Sequence, residues 1–350
     1  MRLSPAAVAA FAMACAACTS GGTATPSPRV SVTSAAPSTP APPATPSVTT
    51  PPPVAHSGSP APAPAPSDVP ETFVAESDER VALFSTATGR RLRYLTQATE
   101  YGDSAPAFSD DRSRVRFTRR LSDCSAALLE VRPDGTGLRT LVAREEEGPM
   151  PYLPVSTVRG LAYAEYDCAE GWGRLVLLAP DGSRHTVAEA NSMTEPAVSR
   201  DGRYVYVQMS RWNASLAAED LVMRQLRRID VTGRTPDVVV SPPKGCEWEG
   251  GVVTRYAYRG RPSVVAAQRC GTGRAAKASL TVLDESLRGA RRLLSLDGLR
   301  VLRVGIDPTG RHLLLYRMAG SQGDRDPDLV QRWSGGGLVT IARDVRAPDW

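Results

Sequence analysis

The chain has 350 residues, 41% of them hydrophobic and 23% charged, with a formal net charge of +5 at pH 7. Lys244 and Lys277 are the only lysines, and arginine usage of this kind together with abundant alanine is that of a high-GC genome. The arginines stand singly or in pairs such as Arg119–Arg120, Arg227–Arg228 and Arg291–Arg292, with acids between them and no basic helix, which excludes a nucleic-acid partner and predicts a mixed, solvated surface.

Residues 1–18 carry one charged side chain, Arg2, and then an apolar, alanine-rich run from Ala6 to Ala17. That run is too short to span a bilayer and has the form of a signal-peptide core. It ends in Cys15-Ala16-Ala17-Cys18, followed by a small, polar stretch. This resembles a bacterial lipobox, in which two small residues precede a cysteine that is diacylated and becomes the N-terminus. Cys15 departs from the pattern, which usually has leucine there. The resemblance implies lipid attachment at Cys18, with the protein held to the outer face of the cytoplasmic membrane through that anchor only. The alternative is an ordinary cleaved signal and a secreted chain; both readings export the protein.

Residues 19–70 hold half of the 30 prolines and no Leu, Ile, Phe, Tyr or Trp. Such a segment cannot bury enough apolar surface to offset the entropy of ordering, and is expected to be a disordered spacer. At about 3.1 Å per residue in polyproline II it reaches at most on the order of 150 Å.

From Glu71 to Trp350 short alternating apolar runs return, separated by Gly, Asp, Asn and Pro. Residues 115–118, 204–207 and 312–316 read as strands. Ala214–Arg227 is the one helix-like stretch and is taken as an insertion. Three segments repeat: PAFSDDRSRVRFTRR (106–120), PAVSRDGRYVYVQM (196–209) and VGIDPTGRHLLLYR (304–317), with weaker copies at 153–165 and 251–268. Each strong copy has a strand, a turn at Ser109, Ser199 or Asp307, then an arginine and a second strand. These copies resemble the TolB-type, PD40-like propeller repeats related to WD40. The resemblance implies an all-β, six-bladed β-propeller over 71–350. It carries architecture only: TolB works with an outer-membrane system, whereas the composition and long stalk here point to an actinobacterial lipoprotein.

Six hairpins support the count: Val81–Leu95, Leu128–Val142, Leu175–Val187, Leu226–Val240, Leu280–Leu294 and Val330–Ile341, giving blades of roughly 47 residues. The C-terminal Ala347-Pro348-Asp349-Trp350 matches the start of the copy at 106 and lacks a turn after it. The N-terminal strand at 72–74 has the opposite deficit. The C-terminal strand is therefore expected to complete the blade begun by the N-terminal strands and to remove the exposed edges.

Four cysteines lie in the domain, and in an exported chain an even number predicts disulfides. Blade topology places all four on one rim, with Cys246–Cys270 expected inside a blade and Cys124–Cys168 between neighbours. The isolated His185 and His312 and the absence of paired cysteine spacing predict no metal and no cofactor. No Gly-x-Ser-x-Gly elbow is present, which excludes a peptidase of the kind some propellers cover. The residues entering the innermost strands are Asp103, Tyr152, Glu195, Glu249, Arg303 and Arg346. Three acids there could hold a divalent cation, as a lactonase- or lyase-like enzyme would require; two arginines in the same ring favour ion pairing across the channel instead. Asp324-Arg325-Asp326-Pro327-Asp328 lacks the glycine and distal Glu of a calcium loop and reads as solvated. The best binding candidates share the cysteine rim: Trp172, Trp212 and Trp248, with Glu170 and Glu247 beside them. The reading is a monomeric, non-enzymatic envelope lipoprotein whose rim binds a protein or envelope polymer, with the channel enzyme as the alternative.

Overall fold

The computed structural model describes residues 69–143, 149–168, 172–210, 223–271, 276–296, 300–318 and 328–350. The signal peptide, Cys18 and nearly all of the stalk lie outside these residues, as do Glu170, Trp212 and the loop at 324–327.

The described residues form six four-stranded antiparallel blades in a ring. Blade one contains β1 (Thr72–Ser77), β2 (Arg80–Ser85) and β3 (Arg91–Tyr94), and blade two contains β4 (Asp103–Phe108), β5 (Val115–Ser122), β6 (Ser125–Val131) and β7 (Arg139–Val142). Blade three is β8 (Met150–Thr157), β9 (Gly160–Asp167), β10 (Trp172–Leu178) and β11 (Arg184–Ala190). Blade four is β12 (Ala197–Val198), β13 (Tyr204–Ser210), β14 (Met223–Asp230) and β15 (Val238–Val240). Blade five is β16 (Cys246–Tyr258), β17 (Arg261–Cys270), β18 (Lys277–Asp284) and β19 (Arg291–Leu296). Blade six is β20 (Arg300–Ile306), β21 (Leu313–Met318), β22 (Leu329–Trp333) and β23 (Leu338–Arg343). The last strand, β24 (Arg346–Asp349), pairs with β1 as Val74↔Asp349 and Glu76↔Arg346, so blade one is completed by the chain's end as expected. Of the helix-like stretch, residues 223–227 are strand in β14, where pairing with β13 overrides helical propensity.

The predicted hairpins are present, and in three of them the two end residues face each other. Leu128 faces Val142, Leu226 faces Val240 and Leu280 faces Leu294. Leu175 faces Ala188 and Val330 faces Ala342, one residue from expectation, because a bulge interrupts each outer hairpin. The three repeat turns share one hydrogen-bond pattern. Ser109, Ser199 and Asp307 each donate their amide to the carbonyl five residues on, at 2.9, 2.8 and 3.1 Å. Their side chains accept the amides of Arg114, Tyr204 and His312 at 3.0, 2.9 and 2.7 Å. The Ser109 and Ser113 hydroxyls hold the Asp111 carboxyl down at about 2. In the weaker copies a two-residue hairpin replaces this turn, with Thr157 facing Gly160 and Tyr258 facing Arg261.

Blades are covered on both faces by their neighbours, so a central strand such as β6 is buried at all seven positions. Six apolar clusters form the core, and each fills one interface of the ring. The cluster between blades six and one contains Phe73, Phe84, Leu314, Val330 and Trp350. Its counterpart between blades five and six contains Val265, Leu280, Val304, Leu313 and Trp333. Because each interface seals two blades, loosening one opens the ring. Trp350 is only 4% exposed at the closing interface, so Trp350→Ala is expected to cost about 3–5 kcal/mol, read as a lower urea midpoint at unchanged slope.

Candidate functional site in the central channel

The innermost strands are irregular where they line the axis. Ala105, Leu153 and Ala347 adopt φ of 52°, 55° and 44°, each immediately before a proline. Proline cannot donate to the ladder, and the register of β4, β8 and β24 slips at these points. In β16 the same job falls to Gly250 and Gly251; a Cβ on Gly250 would lie 2.1 Å from the Val301 carbonyl of blade six. Such bulges turn backbone carbonyls out of the sheet.

Two of these carbonyls meet Arg303 on β20. One guanidinium nitrogen donates to Pro106 O at 2.9 Å and Ala347 O at 2.6 Å, while the other pairs with Glu195. Arg303 is 6% exposed, yet its charge reaches blades one, two and four from blade six. Cavities of about 170 and 250 Å³ lie along the axis, each lined by residues of all six blades and sharing Glu195 in their walls, with Arg303 lining the larger. Burial raises the Glu195 carboxyl above its ordinary range, opposed by Arg303. Burial likewise raises Asp349, against the pull of Arg303, the Phe108 amide at 2.8 Å and Arg112. Arg255 of blade five and Asp110 of blade two, 3.2 Å apart, both line the smaller cavity.

The other channel-entry residues do not converge. Asp103 accepts a bidentate pair from Arg119 in its own blade at 2.7 and 2.8 Å, and Glu249 pairs with Arg300 of blade six at 2.6 Å. Arg346 is exposed near Glu76 and Asp328. No group of three potential metal ligands is present among the described residues.

Where β16 begins, Cys246 and Cys270 are bonded across β16 and β17, as expected. The expected Cys124–Cys168 bridge is not formed. Both are free thiols on adjacent blades, and the Cys168 sulfur is turned to the Asp123 carbonyl at 3.7 Å. Burial and the neighbouring Cys124 thiol push Cys168 up to about 11. Trp248 does not belong to a binding surface. It is 2% exposed, donates its indole N–H to Val240 O at 3.2 Å, and packs with Tyr206 and Val264 between blades four and five. Trp172 is half-buried at the start of β10, 5.1 Å from the Arg174 guanidinium, and Glu247 is half-buried opposite Arg269.

Sequence reasoning found Glu195 and Arg303 but missed Asp349 and the carbonyls. The available signal was proline inside three inner strands, which marks bulges. Arg303→Met is expected to cost about 3–5 kcal/mol at pH 7 by leaving Glu195 buried without its cation. Glu195 has a raised folded pKa, so its folded form keeps a proton that the unfolded chain has lost; the resulting penalty grows as pH rises through that window and disappears below the unfolded value. Removing the cation enlarges the penalty, so the variant's deficit should shrink on acidification, and Glu195→Gln should recover part of it; parallel urea melts at pH 4 and pH 7 check both. Alkylation of Cys168 at pH 8 should be slow and should accelerate in Cys124→Ser, read by mass spectrometry of the labelled peptide.

No protein-family model matches the chain. No curated protein matches it either. Solved structures do. TolB from Acinetobacter baumannii aligns with a TM-score of 0.56 at 11% identity over 80% of this chain and 65% of that one, so the chain spans just under two thirds of that protein. A putative TolB from Agrobacterium tumefaciens gives 0.53 at 15% identity, over 78% of this chain and 89% of that one. An oligogalacturonate lyase in complex with manganese gives 0.50 at 15% identity, over 75% and 70%. At such identities the likeness is one of fold, shared by enzymes and non-enzymes alike. The chain has a TolB-like, six-bladed β-propeller fold closed by its own C-terminal strand.

Proposed function

We propose that the protein is a non-enzymatic, envelope-tethered binding module: acylated at Cys18, carried on the stalk of residues 19–70, and using its propeller to bind a protein or envelope polymer outside the cytoplasmic membrane. The observation that supports it is Arg303. The cation at the centre of the channel belongs to the protein, and its bonds to Glu195, Pro106 O and Ala347 O hold inner strands together. A group spent on the scaffold in this way is poorly placed to turn over a substrate. Recognition then falls to the surface, as in many propellers with rigid rings and variable loops. The alternative is an enzyme with its site in the channel, favoured by the raised carboxyl of Glu195 in the wall of both cavities.

The test uses the chain from Cys18 to Trp350 as bait on envelope extract of its own organism, beside a Trp172→Ala/Trp212→Ala variant and Glu195→Gln. A partner held by the wild type and by Glu195→Gln, and lost by the tryptophan variant, is the expected result. No partner, or one indifferent to the tryptophans, would overturn the rim reading. Intact mass of the membrane-extracted protein should show diacylglyceryl on Cys18, absent in Cys18→Ala.

A further inference from the structure

Arginines that stand apart in the sequence are gathered by blade five. Its β16–β17 turn carries Arg259, and β17 starts at Arg261; the β18–β19 connection carries Arg288, and β19 starts with Arg291 and Arg292. Tyr258 faces Arg261, which puts Arg259, Arg261 and Arg288 in or beside the turns at one end of the sheet, while Arg291 and Arg292 face Val282 and Thr281, level with Val265 and Ala266 further along β17. All five are exposed, and none makes an ion pair among the described residues.

Of the arginines at equivalent positions elsewhere, Arg159 in the β8–β9 turn is likewise exposed and outside any ion pair among the described residues, whereas three others are neutralised. Arg203 in blade four is held by Asp230 at 2.7 Å, Arg139 in blade two by Glu130 at 2.6 Å, and Arg91 in blade one by Asp78 at 2.8 Å. The acids on the blade-five edge are Asp284 and Glu285. Asp284 accepts the amides of Ser286 and Arg288 at 2.8 and 2.9 Å, which fixes the connection and the backbone position of Arg288. The Glu285 carbonyl accepts from Tyr206 and from Arg228 of blade four, at 2.7 and 3.2 Å. Arg259 lies over the Tyr258 ring, 5.3 Å from its centroid, and all five side chains are cations outside any ion pair among the described residues, on a backbone fixed by ladder and turn bonds.

We infer that this edge of blade five is a docking surface for a linear phosphate-bearing polyanion. Guanidinium groups bind phosphate oxygens bidentately and shed less hydration than ammonium groups in doing so. Several cations spread along one blade suit a chain of repeating phosphates better than a single ion. A rigid edge also loses little side-chain-supporting order on binding. The inference rests on the binding-module reading and adds a second surface to it, at the end of blade five away from the Cys246–Cys270 bridge.

The experiment titrates purified protein, residues 18–350, with linear polyphosphate at low and high salt. Arg259→Ser/Arg261→Ser/Arg288→Ser is compared with Arg90→Ser/Arg93→Ser/Arg132→Ser, which removes the same charge from exposed positions on blades one and two. The blade-five variant should bind at least tenfold more weakly and lose most of the salt dependence, while the other should change by less than about twofold. Equal losses in the two variants would show attraction by net charge alone and overturn the site. No binding by the wild type would overturn it as well. Binding to phosphatidylglycerol vesicles with none to polyphosphate would reassign the edge to a membrane and overturn the polymer. Because the probe is defined, these outcomes are independent of whether any partner is captured from extract.

Discussion

A single buried guanidinium organises the centre of this ring. Burying a charge costs several kcal/mol unless it is fully paired, and Arg303 meets that condition only because three other blades present acceptors to it. The pairing requires the inner strands to be bulged, since a regular strand directs its carbonyls to its neighbours rather than to the axis. Left-handed backbone at a residue such as Ala105 or Ala347 costs on the order of 1–3 kcal/mol each. The Arg303 bonds return that cost, so charge and strain depend on each other. Removing either leaves the other uncompensated.

Around this node the architecture is cooperative in a circular sense. Each apolar cluster belongs to two blades, and the chain's two ends share blade one through the β1–β24 pair. There is no terminal blade from which the ring can fray. A disulfide on β16 and β17 adds a local staple in blade five, whose edge also bears the unpaired arginines. Rigid backbone under exposed cations suits recognition of an extended ligand, and a channel whose central cation is spent on its own strands suits support.

Much of this was legible because strand periodicity and turn chemistry are local. The hairpin pairs Leu128–Val142, Leu226–Val240 and Leu280–Leu294 follow from alternation about a turn, and the unequal ends of the repeat array predicted closure. What the sequence could not show depends on proximity between distant residues. Trp248 sits beside a cysteine in a polar stretch and reads as a rim aromatic, but its ring turns inward under β15 to reach Val240. Cys124 and Cys168 were placed on neighbouring loops correctly, whereas sulfur orientation is set by side-chain packing. Arg259 and Arg288 are far apart in the chain and look scattered; only the antiparallel return of blade five brings their turns to the same end of one sheet. Asp349 reads as the tail of a strand, and only the position of Phe108 opposite reveals it as a channel acid.

The central claim is that Arg303 ties the inner strands into one unit. Native-state hydrogen exchange of wild type and Arg303→Met, resolved strand by strand, tests it most directly. The account predicts that amides of β4, β12, β20 and β24 lose protection together in the variant, while the outer hairpins β2–β3 and β6–β7 keep theirs. Unchanged inner-strand protection, or a uniform loss across all six blades, would contradict it.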